Sequence, residues 1–455
     1  MLFSKKDIIK ITVPIVLQQV LTMLVGMVDS IMVSSAGEAA VSGVSLVGTL
    51  DVLLITIFTS LASGGGIVIS QFLGRRDISA AQKASKQLIY VTAFVAAAIS
   101  LTVIVLRNSL LNALYGNSEP AVLQSAKDYF LYIAVSFTFL GIFNAGAAIF
   151  RAMGNTTAPL CVSLLVNIAN VIGNSILIYG FDMGAKGAAI ATLIARIIGV
   201  FVIISLLHSK KNPIRIEKIH KFKPDSAIIK NILRIGVPSG LENSTFQFGR
   251  LLIQSLISTL PTASMAANAV ANSIANILCI PSSSVGIAAS PIVGRCVGAG
   301  ENNQAKKYSK LLFVLAVCGE AIIVTVVLLL INPIIGLYEI SAEGAELARR
   351  LTVFYSVFVL VLHPLSFVLP NFFRAASDVK FPLVISFVSM WTCRIATCYF
   401  LVLDQVNILG QFVLPGLNLG IMGVWIAMVI DWVFRSIFFV TRYCSGKWLA
   451  KYKAQ

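Results

Sequence analysis

The chain repeats itself at a constant offset of 224 residues, and this constrains its architecture more than any other feature. Ile8-Ile9-Lys10-Ile11-Thr12-Val13-Pro14 returns as Ile232-Leu233-Arg234-Ile235-Gly236-Val237-Pro238. Further on, Gly74-Arg75-Arg76-Asp77, with Ala81, Lys83, Ser85, Lys86 and Leu88, returns as Gly298-Ala299-Gly300-Glu301, with Ala305, Lys307, Ser309, Lys310 and Leu312. A third echo, one residue out of register, sets Phe150-Arg151-Ala152 and Pro159 against Phe373-Arg374-Ala375 and Pro382. A period this long that occurs only twice does not describe a solenoid, whose short repeats stack several deep. It predicts two structural halves, 1–220 and 221–455.

Composition decides which solvent those halves face. Apolar residues make up 57% of the chain, charged residues only 12%, and the mean hydropathy is +0.90. Soluble domains carry about 25% charged residues, so most of this chain faces lipid. Runs of roughly 20 apolar residues can each span the hydrocarbon core. Twelve are present, near 11–34, 44–70, 88–106, 129–150, 159–180, 187–207, 235–260, 268–294, 311–331, 351–373, 382–403 and 420–441. The expected fold is an all-α polytopic membrane protein with twelve transmembrane helices in two pseudo-symmetric six-helix lobes. An even number per half gives both lobes one orientation, with the pseudo-twofold axis along the membrane normal. Paired repeats of this kind are a plan on which secondary transporters are built, because one bundle can rock against the other.

Basic residues set the orientation. With the N-terminus and every second loop assigned to the cytoplasm, 26 Lys and Arg of those loops fall on that side and five on the other. The positive-inside rule then places both termini in the cytoplasm, and a plasma-membrane location is expected. The net charge of +16 is therefore read as topology, and a nucleic-acid partner is excluded. The basic linker from Lys210 to Lys223 is a solvated connector that could also meet anionic lipid headgroups. Positive residues ahead of the first apolar run resemble a signal peptide, but that run is too long and lacks a small-residue cleavage site, so it stays as the first helix.

The seven cysteines are scattered, without CxxC or metal spacing. No HExxH, GxSxG or GxxxxGK[ST] is present, so an enzyme is not expected. Gly64-Gly65-Gly66 lies inside the second span with no strand before it, which points to close helix packing or a flexible point rather than a phosphate cradle. No cofactor is implied beyond a coupling ion.

In order and spacing, several motifs resemble the multidrug and toxic compound extrusion (MATE) family over essentially the full length. They are Pro14 with Gly26-Met27-Val28-Asp29-Ser30-Ile31-Met32, Arg151-Ala152-Met153-Gly154-Asn155-Thr156 with Pro159, Arg374-Ala375-Ala376-Ser377-Asp378 with Pro382, and Gly184-Ala185-Lys186-Gly187-Ala188-Ala189-Ile190-Ala191-Thr192. The resemblance implies a V-shaped pair of lobes exporting cationic or amphipathic small molecules in exchange for H⁺ or Na⁺. A monomer in contact with membrane lipids is expected.

Ionisable residues inside a bilayer are costly and are functional candidates by default. The intramembrane acids are Asp29, Asp51, Glu242, Glu320 and Asp431. In the resembling family an acid at the place of Asp29 helps to bind the coupling cation. Its partners there are an Asn and an Asp one turn apart in the fifth span and a Thr in the sixth, which fall on Asn170, Asn174 and Thr192. Asn174 departs from the family's common Asp. One carboxylate among neutral oxygens weakens Na⁺ attraction more than it weakens proton binding, since a proton forms a short covalent bond. The reading leans to H⁺, with Na⁺ at Asp29 kept open; the alternative is that Asp29 only braces its helix end.

Glu242 follows Pro238 by one helical turn and either faces the central cavity or forms an ion pair with Arg250 or a facing Arg. Together with Gln18, Met27, Gln247, Asn272 and Asn276 it is expected to line a substrate cavity, where flexible and amide side chains suit broad recognition of lipophilic cations. Gln19 and Met23 join them. Asp431 is expected to pair with Arg435, four residues on, or with Arg394. Glu320 has no partner in sequence. Asp51 opens the second span, at the interface or beside Asp29. The intramembrane Arg196, Arg250, Arg394 and Arg435 keep a second reading open, a lipid-linked oligosaccharide or amphiphile flippase of the same superfamily.

Overall fold

The computed structural model describes residues 2–116, 118–216, 223–408 and 412–452. Residues 217–222, with the 220/221 boundary between the halves, lie outside them. The first half forms α1 (Lys5–Ser34), α2 (Glu38–Gly74), α3 (Ile78–Tyr115), α4 (Pro120–Ala152), α5 (Thr157–Asn174) and α6 (Gly184–Leu207). The second forms α7 (Ser226–Ile257), α8 (Thr262–Leu278), α9 (Ile280–Gly298), α10 (Asn302–Leu329), the short α11 (Ile331–Gly336), α12 (Ala342–Phe367), α13 (Leu369–Ala375), α14 (Lys380–Ser389), α15 (Thr397–Val402) and α16 (Ile421–Cys444). Two π-helical stretches interrupt this regularity: Ser175–Gly180 prolongs α5, and Met390–Ala396 joins α14 to α15.

Ten of these helical rods, among the described residues, are long and apolar enough to cross a membrane. The bent pair α8 and α9, broken by 42°, makes an eleventh. In the twelfth place stands α7, 32 residues long, or about 48 Å. Lys230, Arg234, Glu242 and Arg250 make it more polar than the rest. Between α15 and α16 the chain adds a feature the sequence reading did not anticipate. There β1 (Gln405–Ile408) pairs antiparallel with β2 (Phe412–Pro415), Gln405 opposite Pro415.

The repeat is visible in backbone detail. Arg76 and its mate Gly300 both adopt left-handed conformations, with φ of 62° and 76°. Each follows a helix end closed by a six-to-one hydrogen bond. The amide of Asp77 donates to the Phe72 carbonyl at 3.1 Å, and that of Glu301 to the Cys296 carbonyl at 2.9 Å. The third echo behaves alike. Gly154 and Ser377 have φ of 83° and 63°, and Asn155 and Asp378 donate to the Phe150 and Phe373 carbonyls at 3.0 and 2.9 Å. This is the Schellman closure, where a left-handed residue satisfies carbonyls left over at a helix end.

The chain packs as two compact units. Unit 1 comprises Met1–Gly240 with Ser290–Glu301; unit 2 comprises Leu241–Ala289 with Asn302–Gln455. Packing thus groups the start of α7 and the end of α9 with the N-terminal helices, whereas the repeat divides the chain at 220/221. Within unit 1, Phe58 and Phe137 meet at 5.7 Å among Val47, Phe130 and Ile133. Gly64-Gly65-Gly66 serves close packing: a Cβ on Gly64 would lie 2.6 Å from the Gly236 nitrogen, and one on Gly65 would overlap the Leu88 side chain. The mates Gly74 and Gly298 contact each other's helices reciprocally, against the backbone of Arg295 and of Gln71. Arg295 also donates to the Ala152 carbonyl at 2.7 and 3.1 Å, capping the end of α4. Unit 2 is built around Tyr355, Trp425 and Trp432, with the Tyr355 ring 5.3 and 5.4 Å from the two indoles.

Candidate functional site

Unit 1 brings Asp29, Asn170, Asn174 and Thr192 together from α1, α5 and α6. Asn170 and Asn174 are one helical turn apart, so both amides leave the same face of α5. Asn174 Nδ2 donates to Asp29 Oδ1 at 2.8 Å. Asn170, with its amide nitrogen toward the acid, donates to Asp29 Oδ1 and Oδ2 at 2.7 and 3.1 Å and accepts from the Thr192 hydroxyl at 3.1 Å. Asp29 is half-buried, while Asn170 and Asn174 are 6% and 1% exposed. The carboxylate is therefore met by neutral amides, with no ion pair to a basic side chain recorded among the described residues. Asn174 Oδ1 is buried and accepts no hydrogen bond there. An orphaned carbonyl oxygen beside a carboxylate is an acceptor set that a proton or a hard cation can satisfy. The π-helical stretch begins immediately after Asn174, and such stretches are frequent at functional sites.

Asp51 has no recorded hydrogen bond to this group among the described residues, although Asp51 and Asp29 both act on Tyr129. Asp51 lies well inside α2, which starts thirteen residues earlier at Glu38, and not at the start of a span. Its Oδ1 is buried without a hydrogen-bond partner, and the charge acting on it is that of Arg196, whose Nη1 donates to Ser136 Oγ at 2.6 Å.

Unit 2 treats its acids differently. Glu242, 2% exposed, is held by Arg374 at 2.7 Å and accepts from Ser386 Oγ at 2.8 Å. Of the two readings left open for Glu242, the structure has the ion pair, with Arg374. That arginine lies in α13 and also donates to Asn371 Oδ1 at 2.9 Å. Asp431 pairs with Arg394 at 3.5 Å and accepts from Ser389. Arg435, on the same helix as Asp431, donates to the Ser366 carbonyl at 2.9 Å and stacks on Phe246 and Phe367 at 4.6 and 4.5 Å. Glu320, left without a partner in sequence, shares a 2.7 Å hydrogen bond with His363 Nδ1. The two are 43 residues apart, a separation no local spacing rule exposes.

The remaining cavity candidates are divided between the units. Gln18 Nε2 donates to Ser163 Oγ at 2.8 Å in unit 1. Since Gln18 is the mate of Glu242 and Ser163 that of Ser386, both halves make this contact, with Gln donating in one and Glu accepting in the other. Met27 is exposed on α1. In unit 2, Asn276 is exposed, Gln247 is half-buried, and Asn272 donates to the Asn268 carbonyl at 2.9 Å.

The MatE family profile matches residues 14–176 and again residues 238–400, two stretches that start and end at the repeat offset and together cover well over half the chain. The chain belongs to the MATE family. It is a multi-span membrane transporter, not an enzyme. Among its relatives are a probable multidrug resistance protein NorM of Thermotoga maritima, 24% identical over 98% of this chain and 93% of that protein, and an uncharacterized transporter YisQ of Bacillus subtilis, 25% identical over 98% and 95%. Among solved structures, an outward-facing multidrug resistance MATE family transporter of the MOP superfamily superposes with a TM-score of 0.88 at 21% identity, over 98% of this chain and 97% of the other.

Proposed function

We propose that this MATE protein exports cationic or amphipathic small molecules across the plasma membrane, driven by a cation that binds at Asp29. The observation that carries this reading is the Asp29 carboxylate, which has amide and hydroxyl neighbours and no ion pair to a basic residue among the described residues. Burying a charge without a counter-charge is unfavourable, so binding and release of a cation there can bias unit 1 between conformations. With Asn174 in place of a second acid, the site suits H⁺ better than Na⁺, although Asp29, Asn170, Asn174 and Thr192 could supply oxygens to Na⁺. Alternation is assigned to the halves 1–220 and 221–455, both termini being cytoplasmic. Gln18, Met27, Glu242, Gln247, Asn272 and Asn276 are the proposed cavity residues, with Glu242 acting through its ion pair.

That several relatives are named as probable multidrug resistance proteins supports this choice of substrate class. The flippase reading rests on Arg196, Arg250, Arg394 and Arg435; Arg196 is engaged by Ser136, Arg394 by Asp431 and Arg435 by a carbonyl and aromatic rings, which leaves Arg250 alone to hold an anionic headgroup. Ethidium accumulation in everted vesicles tests the proposal. An imposed ΔpH should drive it and a Na⁺ gradient should not; accumulation driven by Na⁺ alone would replace the proton with Na⁺. Labelling of an Arg215→Cys variant from outside intact cells would overturn the orientation.

A further inference from the structure

Three of the buried acids of unit 2 have arginine partners: Glu242 with Arg374, Asp431 with Arg394, and Asp378 with Arg442 at 2.8 Å. Arginine stays protonated at any physiological pH, so those pairs cannot change charge by losing a proton. Glu320 differs. Its partner is His363, a side chain that ordinarily titrates between about pH 5 and 8. The side chains are 0% and 6% exposed, and Glu320 Oε2 is buried with no hydrogen-bond partner.

The surroundings make the charge of this pair consequential. Arg435 is 1% exposed, has no acid within salt-bridge distance among the described residues, and leaves Nε and Nη1 without hydrogen bonds. Its guanidinium lies 4.5 Å from the Phe367 ring centroid, and the His363 ring lies 4.6 Å from that same centroid. With His363 neutral and Glu320 ionised, the pair carries one negative charge beside the same Phe367 ring as Arg435, whose directly acting acids are Asp431 and Glu242. With one more proton the pair is neutral, and this cluster of buried charges has gained one positive charge. Uncompensated buried charge is unfavourable in either direction, so the two states favour different arrangements around Arg435.

We propose that Glu320 and His363 form a second proton-exchange site, in unit 2, separate from Asp29. One proton from hydronium binds to the pair and later returns to water; no other bond forms or breaks. The charged and titratable groups acting on the pair, on Tyr355 or on Arg435 are Cys279 after α8, Tyr355 on α12, Glu242 on α7, Arg374 on α13, Arg394 on the π-helical stretch and Asp431 on α16. Cys279 Sγ and Tyr355 Oη lie 3.0 Å apart.

The Trp432 ring is 5.4 Å from the imidazole, close enough for a protonated His363 to quench indole fluorescence. The test uses full-length protein in nanodiscs carrying Trp391→Phe, Trp425→Phe and Trp448→Phe, with emission followed from about pH 5 to 11, past the ordinary imidazole range. A one-proton transition is expected, absent in His363→Gln, moved by about one pH unit or more in Glu320→Gln, and retained in Asp29→Asn. Should the triple tryptophan variant fail to fold, pH-dependent infrared difference spectra of the protein with its native tryptophans give the same answer. A carboxyl band lost in Glu320→Gln is expected there. Flat emission or a flat carboxyl region in folded protein shows a structural hydrogen bond only and overturns the proposal. The same transition in His363→Gln assigns the proton elsewhere and also overturns it.

Discussion

Units 1 and 2 hold buried acids by opposite means. In unit 1, Asp29 is surrounded by Asn170, Asn174 and, through Asn170, Thr192. In unit 2, Glu242 and Asp431 each meet an arginine, and the position 224 residues beyond Asp29 is Ile253, buried in the apolar core. An acid already neutralised by an arginine has little to gain from a diffusible cation, whereas one held by neutral amides retains its attraction for one. The repeat sharpens the point. The Gln18–Ser163 and Glu242–Ser386 contacts occupy mate positions at the same 2.8 Å, so the scaffold is alike and the charge is what changed.

The largest effect on stability is expected in unit 2. Arg374→Met leaves Glu242 buried and unpaired, a loss of about 3–5 kcal/mol, whereas Asp29→Asn should cost less than about 1 kcal/mol because the amide can keep hydrogen bonds to its neighbours. Thermal unfolding in detergent checks both, and Glu242→Gln added to Arg374→Met should recover part of the loss. Equal destabilisation by Arg374→Met and Asp29→Asn would erase the contrast.

A smaller difference is expected between the mate serines. Ser386→Ala removes a hydrogen bond to a charged acceptor, worth about 1.5–3 kcal/mol, while Ser163→Ala removes one from a neutral amide, worth about 0.5–1.5 kcal/mol. Denaturation of the two variants side by side measures it, and a Ser163→Ala loss as large as that of Ser386→Ala would mean the charge at Glu242 adds nothing.

Smallest is a backbone pair. Gly154→Ala forces a Cβ into a left-handed conformation and should cost about 1–2 kcal/mol, whereas Ser377→Gly at the mate position relieves it and should gain up to about 1 kcal/mol. Shifts of the same sign in the two melting temperatures would show that the turns are not equivalent.

The fold was largely legible in the sequence. Apolar runs located the helices, and the echoes around Pro14 and Pro238, Gly74 and Gly298, and Phe150 and Phe373 located the repeat. Asp29 with Asn170, Asn174 and Thr192 was named through the family resemblance, because residues from three helices have no common spacing that composition alone could reveal. Partners across helices were harder. Asp431 and Arg435 satisfy the i, i+4 rule, yet packing turns Asp431 toward Arg394 and Arg435 onto aromatic rings. Arg374 looked like a loop cation because it sits beside a turn; only folding shows that its short helix aims the guanidinium at Glu242. The pairing of β1 with β2 had no clear signal beside the long apolar spans, although Val406, Ile408 and Val413 favour strands.

Whether the uncompensated acid of unit 1 couples transport is tested most directly by Asp29→Asn in the ethidium assay with an imposed ΔpH. Gradient-driven accumulation should be abolished while the protein remains in the membrane at the wild-type level. Accumulation by Asp29→Asn at the wild-type rate would make Asp29 structural and move the search for the coupling site to the acids of unit 2 that lack an arginine partner among the described residues, Glu320 first.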